Sequence, residues 1–273
     1  HSYSNFFPNI SLATQIGKFQ TQLSYTTKIK RPFYNQLSSN MRYMNRFTYM
    51  SGNPDLKPET IHDLTLSGSY KWLQFMISYQ REKDAILYIT EQYEKNPAIT
   101  TVTHRNFNRI DNFSAFLTAS PAVGSWHPQL TVGVQKQWAK IEHNGETLQM
   151  DTPLFFCTLN NGIQLPYHWT LSTDINFQSK GDYQNIYMYQ NVFMMNATLT
   201  KSFLNEHLSI HLQGIDLTHG RKDGNRIYNK HMNMDVANVS DSRELRFTIR
   251  YKFNTAKSKY KGKGAATEEI KRL

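Results

Sequence analysis

The chain has 273 residues, of which 39% are hydrophobic and 13% aromatic, and its formal net charge is +10. A mean hydropathy of −0.60, with no uninterrupted apolar run of about 18 residues, excludes a helical membrane protein. It leaves room for a membrane β-barrel, where only alternate residues meet lipid and the average stays low.

Cys157 is the only cysteine, so no intrachain disulfide can form. The excess of positive charge suits an anionic partner: lipopolysaccharide phosphates, an acidic solute or nucleic acid. The first residues, beginning at His1, show no basic segment followed by an apolar core, the pattern of an export signal.

A short strand is expected near residues 10–13, followed by a polar turn at 15–18. Over residues 19–29, Phe19, Thr21, Leu23, Tyr25, Thr27 and Ile29 alternate with Gln20, Gln22, Ser24, Thr26 and Lys28. Successive side chains of a strand point to opposite faces, so this run has one apolar and one polar face. Its length suffices to cross a bilayer at a tilt. Residues 31–60 contain Pro32, Gly52, Pro54 and Pro58 and are expected to form a long irregular connection. Alternation resumes at 61–70, reverses tightly at Lys71-Trp72, and continues through Leu73, Phe75, Ile77 and Tyr79, with strand character persisting over 84–89.

Further strands are expected at 99–108 and through Phe113, Ala115, Leu117 and Ala119, with a bulge or kink near 109–112 dividing the run. Leu130, Val132, Val134 and Trp138 lead to His143-Asn144-Gly145-Glu146, in which Asn-Gly is a hairpin signal. Phe155, Cys157, Leu159, Ile163 and Leu165 mark the return strand and put Cys157 on its apolar face. Leu171 to Phe177, Phe193 to Leu199 and Leu208 to Leu212 follow in turn, with polar connections at 181–188 and 219–241. In the last run Leu245, Phe247, Ile249, Tyr251 and Phe253 alternate with Arg246, Thr248, Arg250 and Lys252. Residues 255–273 are Lys-rich, do not alternate, and read as a flexible basic tail.

About twelve strands result, joined alternately by short and long connections. An outer-membrane barrel has this arrangement, with short periplasmic turns and longer outer loops. The fold expected is therefore all-β: an antiparallel transmembrane β-barrel over residues 1–254. By parity Lys18, Gln20, Gln22 and Lys28 on an early strand, and Arg246, Arg250 and Lys252 on the last, are candidates to face a hydrated lumen.

Nothing in the pattern supports a catalytic, cofactor or metal site. His207 and His211 stand roughly 13 Å apart on a strand, too far to share a metal ion. There is no Gly-x-Ser-x-Gly elbow and no phosphate-binding loop. Nucleic-acid binding needs basic and aromatic groups on one surface, and here they fall largely on opposite faces.

Gly52-Asn53-Pro54-Asp55-Leu56-Lys57-Pro58-Glu59 resembles a motif of TonB-dependent outer-membrane receptors, where it closes an extracellular loop and leads into a strand. Arg31-Pro32-Phe33-Tyr34-Asn35-Gln36-Leu37 resembles the companion segment that opens that loop. The ending, Arg250-Tyr251-Lys252-Phe253 with Lys257-Ser258-Lys259-Tyr260-Lys261-Gly262 and Arg272-Leu273, is similar to the Bacteroidetes outer-membrane β-barrel proteins related to those receptors. In the octapeptide Gly52 permits unusual backbone angles, and both prolines restrict their own φ and extend the preceding residue. The segment is expected to stiffen the loop exit, with Lys57 and Glu59 as candidates to face a ligand entrance.

The resemblance implies uptake of a scarce nutrient through a lumen gated by a plug domain and driven by the TonB system. Neither a plug nor a TonB box is recognisable in these residues. Receptor barrels have about 22 strands, so the chain is expected to be the C-terminal portion of such a barrel, with its tail in the periplasm; a complete barrel of about twelve strands is the alternative. Partners implied are outer-membrane lipid or lipopolysaccharide, the plug and TonB system, and an unidentified small-molecule or oligomeric nutrient. Two competing readings are a receptor-like barrel that binds or adheres without transporting, and a soluble all-β binding protein.

Overall fold

The computed structural model describes residues 7–253, apart from 94, 144, 229–232 and 240. The tail expected at 255–273 lies outside the described residues, as does Asn144 of the hairpin signal.

Eleven strands form one continuous antiparallel path: β1 (Asn9–Ile16), β2 (Phe19–Lys30), β5 (Glu59–Tyr70), β6 (Leu73–Gln92), β7 (Thr100–Ala119), β8 (Trp126–His143), β10 (Leu154–Leu165), β11 (Trp169–Gln178), β14 (Val192–Phe203), β15 (Leu208–Ile215) and β18 (Glu244–Tyr251). The path does not close; β1 and β18 are its two edges. One end of the sheet carries the short turns, such as Gly17-Lys18, Lys71-Trp72 and Pro166-Tyr167-His168. The other carries the long connections.

Register turns the alternation of single strands into a continuous surface. Leu12, Leu23, Leu66, Ile77, Ala115, Val134 and Phe155 are successive cross-strand partners on seven strands. Ile163, Leu171, Leu199, Leu212 and Phe247 do the same on five strands up to the far edge. None of these side chains is buried, and several stand largely uncovered: Leu12 is 72% exposed, Phe155 51% and Phe247 62%. An apolar band of this extent, with no buried member on any of the eleven strands it crosses, needs a hydrocarbon phase against it. Cys157 belongs to it, half-buried between Val132 and Phe177.

All four tryptophans sit at the margins of the band. Trp72, Trp126 and Trp169 lie at the turn end, and Trp138 lies twelve residues beyond Trp126 on β8. At a 45° tilt that separation is roughly 29 Å along the barrel axis, close to the thickness of a bilayer core. Lys201 stands over the Trp169 ring at 5.1 Å and Lys71 over Tyr70 at 5.2 Å, pairing cation and aromatic group at headgroup level.

The connections contain more structure than their composition suggests. Residues 31–60, expected to be irregular, hold α1 (Tyr34–Leu37), β3 (Arg42–Asn45) and β4 (Thr48–Met50), with β5 already begun at Glu59, and β4 adds in parallel to β7. β9 (Glu146–Met150) folds back on β8. The two polar connections supply β12 (Gly181–Tyr183), β13 (Ile186–Met188), β16 (Lys222–Tyr228) and β17 (Asn233–Val239), which make a separate four-stranded sheet.

Candidate functional site

On β2 the polar face presents Gln20, Gln22 and Lys28; their partners across β5 are Ser69, Ser67 and Ile61. The pattern continues through Gln74 and Ser78 on β6, Thr118 and Ser114 on β7, and Thr131 and Gln135 on β8. A concavity of about 860 Å³ opens on this face at the turn end, bordered by Gln15, Gln20, Gln22, Ser67, Gln74 and Thr118 among others. Its donors and acceptors are neutral amides and hydroxyls.

Of the cations expected to line this face, Lys28, Arg246 and Arg250 lie within its strands, and Lys18 and Lys252 fall beyond the strand ends. Lys18 is part of the β1–β2 turn and Lys252 follows the end of β18, donating its backbone N–H to His207 O at 2.8 Å. Arg246 forms a two-point pair with Glu244, Nε to Oε1 at 2.9 Å and Nη2 to Oε2 at 3.0 Å. Arg250 remains on the polar face of β18, opposite Ser209.

Above the concavity the four-stranded sheet lies on the polar face of the strand extensions. A dry cluster of Ala85, Leu87, Ile110, Ala139, Ile141 and Met150 forms there, with Tyr187 of β13 and Tyr228 of β16 packed against it. Two polar links fix the placement. Gln137 donates Nε2–H to Gln184 O at 2.7 Å and accepts from Gln184 N at 2.6 Å. Asn185, 1% exposed, donates Nδ2–H to Tyr88 O at 2.6 Å. Beneath Tyr183 and Gln184 a cavity of about 220 Å³ is enclosed by Ser78, Gln80, Glu82, Asn112, Ser114 and Gln135.

The cluster requires a change of face that parity could not supply. Below Asp84 the odd-numbered residues of β6 belong to the apolar band. Above it, odd-numbered Ala85 and Leu87 share the inner cluster with even-numbered Ile110. Asp84 has φ 54°, in the left-handed region, and Asn106 Nδ2–H donates to its carbonyl at 2.7 Å. The division expected near 109–112 thus falls within the continuous strand β7, with its counterpart in β6 at Asp84.

The octapeptide is a latch onto these extensions. Gly52 N–H donates to Ser38 O at 2.8 Å and Asn53 N–H to Gln36 O at 2.6 Å, tying it to the α1 segment. A Cβ on Gly52 would lie 2.4 Å from Gln36 O, so the close approach requires glycine. Asn53 donates Nδ2–H to His104 O at 3.1 Å, and Lys57 exchanges bonds of 2.8 and 2.9 Å with the Asn106 amide. Leu56 is buried, and Pro54-Asp55 make a turn in which Leu56 N–H donates to Asn53 O at 3.4 Å, with Pro54 fixing its own φ there. Glu59 is only 2% exposed; it accepts from Lys30 Nζ at 3.3 Å and Ile86 N at 3.4 Å. Its carboxylate anchors the loop and does not stand at an entrance.

Asp216, in the connection beyond β15, fastens the base of the second sheet. Burial pushes its carboxyl up, but bonds from Ser242 Oγ, Gly220 N and Arg221 N outweigh this and hold it below the usual carboxylate range. In that sheet the exposed Arg226 guanidinium, bound to Asp235 at 2.6 and 2.9 Å, lowers the Asp235 carboxyl likewise. Among the described residues no group of three or more metal-ligating side chains converges.

A family model for the outer membrane protein beta-barrel family matches residues 1–251. The chain belongs to that family. Among solved structures, this family member is similar to the outer membrane transporter YddB from Escherichia coli (TM-score 0.54, 12% identity), over 86% of this chain and 39% of that one. It is similar to the siderophore receptor PirA from Pseudomonas aeruginosa (TM-score 0.53, 16% identity), over 80% and 39% respectively. A mutant of the ferric enterobactin receptor PfeA from Pseudomonas aeruginosa, in complex with enterobactin, matches with TM-score 0.53 and 15% identity over 90% and 40%. At these identities the likeness is one of fold. The chain spans about two-fifths of the length of the structures it matches. No curated protein matches it in sequence.

Proposed function

We propose that this chain is the C-terminal portion of a TonB-dependent receptor-like barrel, which takes up a scarce small-molecule nutrient through a plug-gated lumen. The observation that carries the reading is the open path of eleven strands with an uncovered apolar band on one face and an amide- and hydroxyl-lined wall on the other. Unpaired strand edges are not tolerated in hydrocarbon, so both β1 and β18 need partners. With ten successive antiparallel pairings, β1 and β18 run in the same direction. They cannot pair with each other antiparallel, and bacterial barrels of this kind have even strand numbers. An odd number of further strands completes the wall, and eleven more bring it to the 22 of plugged transporters.

The polar wall, neutral around the concavity at its turn end, suits contact with a plug and passage of a polar solute. The second sheet, seated over that wall, narrows the outer mouth and supplies the surface that a ligand meets first. Solved receptors of similar fold bind siderophores, which supports a small-molecule ligand.

Two measurements test the reading. The mature polypeptide in native outer membranes is expected to be well above the 31.9 kDa of this chain; a species at that mass would exclude the larger barrel. Uptake of labelled ferric siderophores and other scarce nutrients should fall to background in strains lacking either this protein or TonB. Equal uptake of every solute with and without both overturns transport and leaves binding or adhesion.

A further inference from the structure

The apolar face changes character where the strands leave the band. Register places Arg81 and Lys83 of β6, Arg109 of β7 and Lys136 of β8 on the same face as Tyr79, Phe113 and Val134. Lys83 stands directly opposite Arg109. Lys140, one residue past the last β7–β8 pair, Ile110↔Ala139, continues the row and borders one hollow with Arg109. Like charges placed opposite one another weaken a sheet unless something lies between them.

The nearby carboxylate does not neutralise the row. Asp111 accepts from Tyr79 Oη at 2.9 Å, Arg81 Nε at 2.7 Å and Arg109 Nε at 2.5 Å, so one negative charge is shared by two guanidiniums. Asp151 borders the same hollow as Lys140, yet among the described residues no carboxylate lies within ion-pair distance of Lys83 or Lys140. Beside the row a concavity of about 350 Å³ is formed by Tyr25, His62, Leu64, Tyr79, Arg81 and Lys83. Leu64 is 45% exposed and opens downward onto the band at Leu66. The site therefore combines cations, phenol groups and an apolar floor continuous with the lipid-facing surface.

We propose that this patch on β5–β8 binds a phosphorylated lipid of the outer leaflet, with phosphate between Lys83, Arg109 and Lys140 and an acyl chain descending over Leu64. The position favours a lipid over a free anion. The cations face away from the polar wall, directly above hydrocarbon-contacting residues, and Trp138 marks the interface beside them. The inference needs only membrane insertion and is independent of what the lumen carries.

The test uses the full-length protein purified in detergent. Native mass spectrometry would count bound diphosphorylated lipid A, its dephosphorylated form and inorganic phosphate. The phosphorylated lipid should be retained in clear preference to the dephosphorylated one. The double variant Lys83→Gln/Lys140→Gln should bind it about 25-fold more weakly, two surface lysines each contributing roughly a fivefold factor. Lys83→Arg/Lys140→Arg should restore retention. Equal retention of the two lipids by the unaltered protein overturns the proposal, whether or not the variants fold. So does unchanged binding by the glutamine variant, or displacement of the lipid by millimolar inorganic phosphate, which would mark a site for free anions.

Discussion

Phe247, in the apolar band, is 62% exposed; Leu87, on the extension of β6 above the band, is 1% exposed. Both are large apolar side chains on strands of one sheet, yet they are stabilised by different surroundings. The band has no protein partner, and its cohesion comes from ladder hydrogen bonds and a surrounding phase as apolar as itself. The extensions stand in water and need a partner of protein, which the four-stranded sheet supplies through Tyr187 and Tyr228. The same chain thus contains a wall with solvent on both sides and a small conventional core. A substitution should act through quite different terms in the two.

The largest separation is expected from Leu87→Ala. In the close-packed cluster it should cost about 2–5 kcal/mol through lost burial and a residual cavity. The damage should stay local: faster proteolysis of the second sheet, with heat-modifiable migration of the barrel retained. Loss of barrel migration together with the second sheet would show that the two regions do not fold separately.

The converse change is Ile77→Arg, in the middle of the band. An arginine facing lipid near the midplane should cost about 2–4 kcal/mol, whereas Gln74→Arg on the polar face of the same strand should be nearly neutral. The readout is the amount of protein assembled in outer membranes. Equal assembly of both variants would mean that the apolar face does not meet lipid.

The contrast also accounts for what the sequence disclosed. In β2 and β18 a strict two-residue period survives because each face has one environment from end to end, so Leu23 and Phe247 could be assigned to a face without a structure. In β6 and β7 the environment changes midway. Asp84 swaps the faces, so extrapolating parity from Ile77 would put Leu87 on the wrong side. The second sheet was illegible for another reason: β12 and β13 have three residues each, too few to show a period, and they are separated from β16 by more than thirty residues. A signal was nevertheless present in Tyr187, Ile227 and Tyr228, large apolar groups in a connection that composition marked as polar. Glu59 serves the loop-fixing role expected of the octapeptide and not the entrance, because its partner Lys30, just past the strand expected at 19–29, comes opposite it in the β2–β5 ladder. The cations at Lys18 and Lys252 obeyed parity but fell outside the strands, where parity has no meaning.

A smaller effect should come from the latch that joins wall and extension. Gly52→Ala forces a methyl group to within 2.4 Å of Gln36 O, and the overpacking should cost about 1–3 kcal/mol. Hydrogen exchange should quicken at Gly52 and Asn53 while the β2–β5 ladder keeps its protection. Unchanged exchange would show that the loop can shift to admit the methyl at little cost.

The smallest effect expected depends on pH and belongs to the extensions alone. His104 on β7, 4% exposed and tilted at 43° against the Tyr88 ring with centroids 4.2 Å apart, has among the described residues no hydrogen-bond partner for either ring nitrogen. It lies well above the band, and burial pushes its pKa below the ordinary histidine value. The folded form therefore resists the proton that the unfolded chain accepts. Stability should be greatest above about pH 6.5, the unperturbed histidine value, and fall as the pH drops toward the lower folded value, because the unfolded state then binds more protons. His104→Phe keeps the ring packing and removes two unpaired polar atoms. It should stabilise the extensions by about 1 kcal/mol and flatten that part of the pH profile, measured by hydrogen exchange in β7 near residue 104. A band-facing amide such as that of Leu117 should exchange alike in both proteins at every pH. An identical pH slope in the variant would assign the effect to another group and leave His104 a merely apolar neighbour of Tyr88.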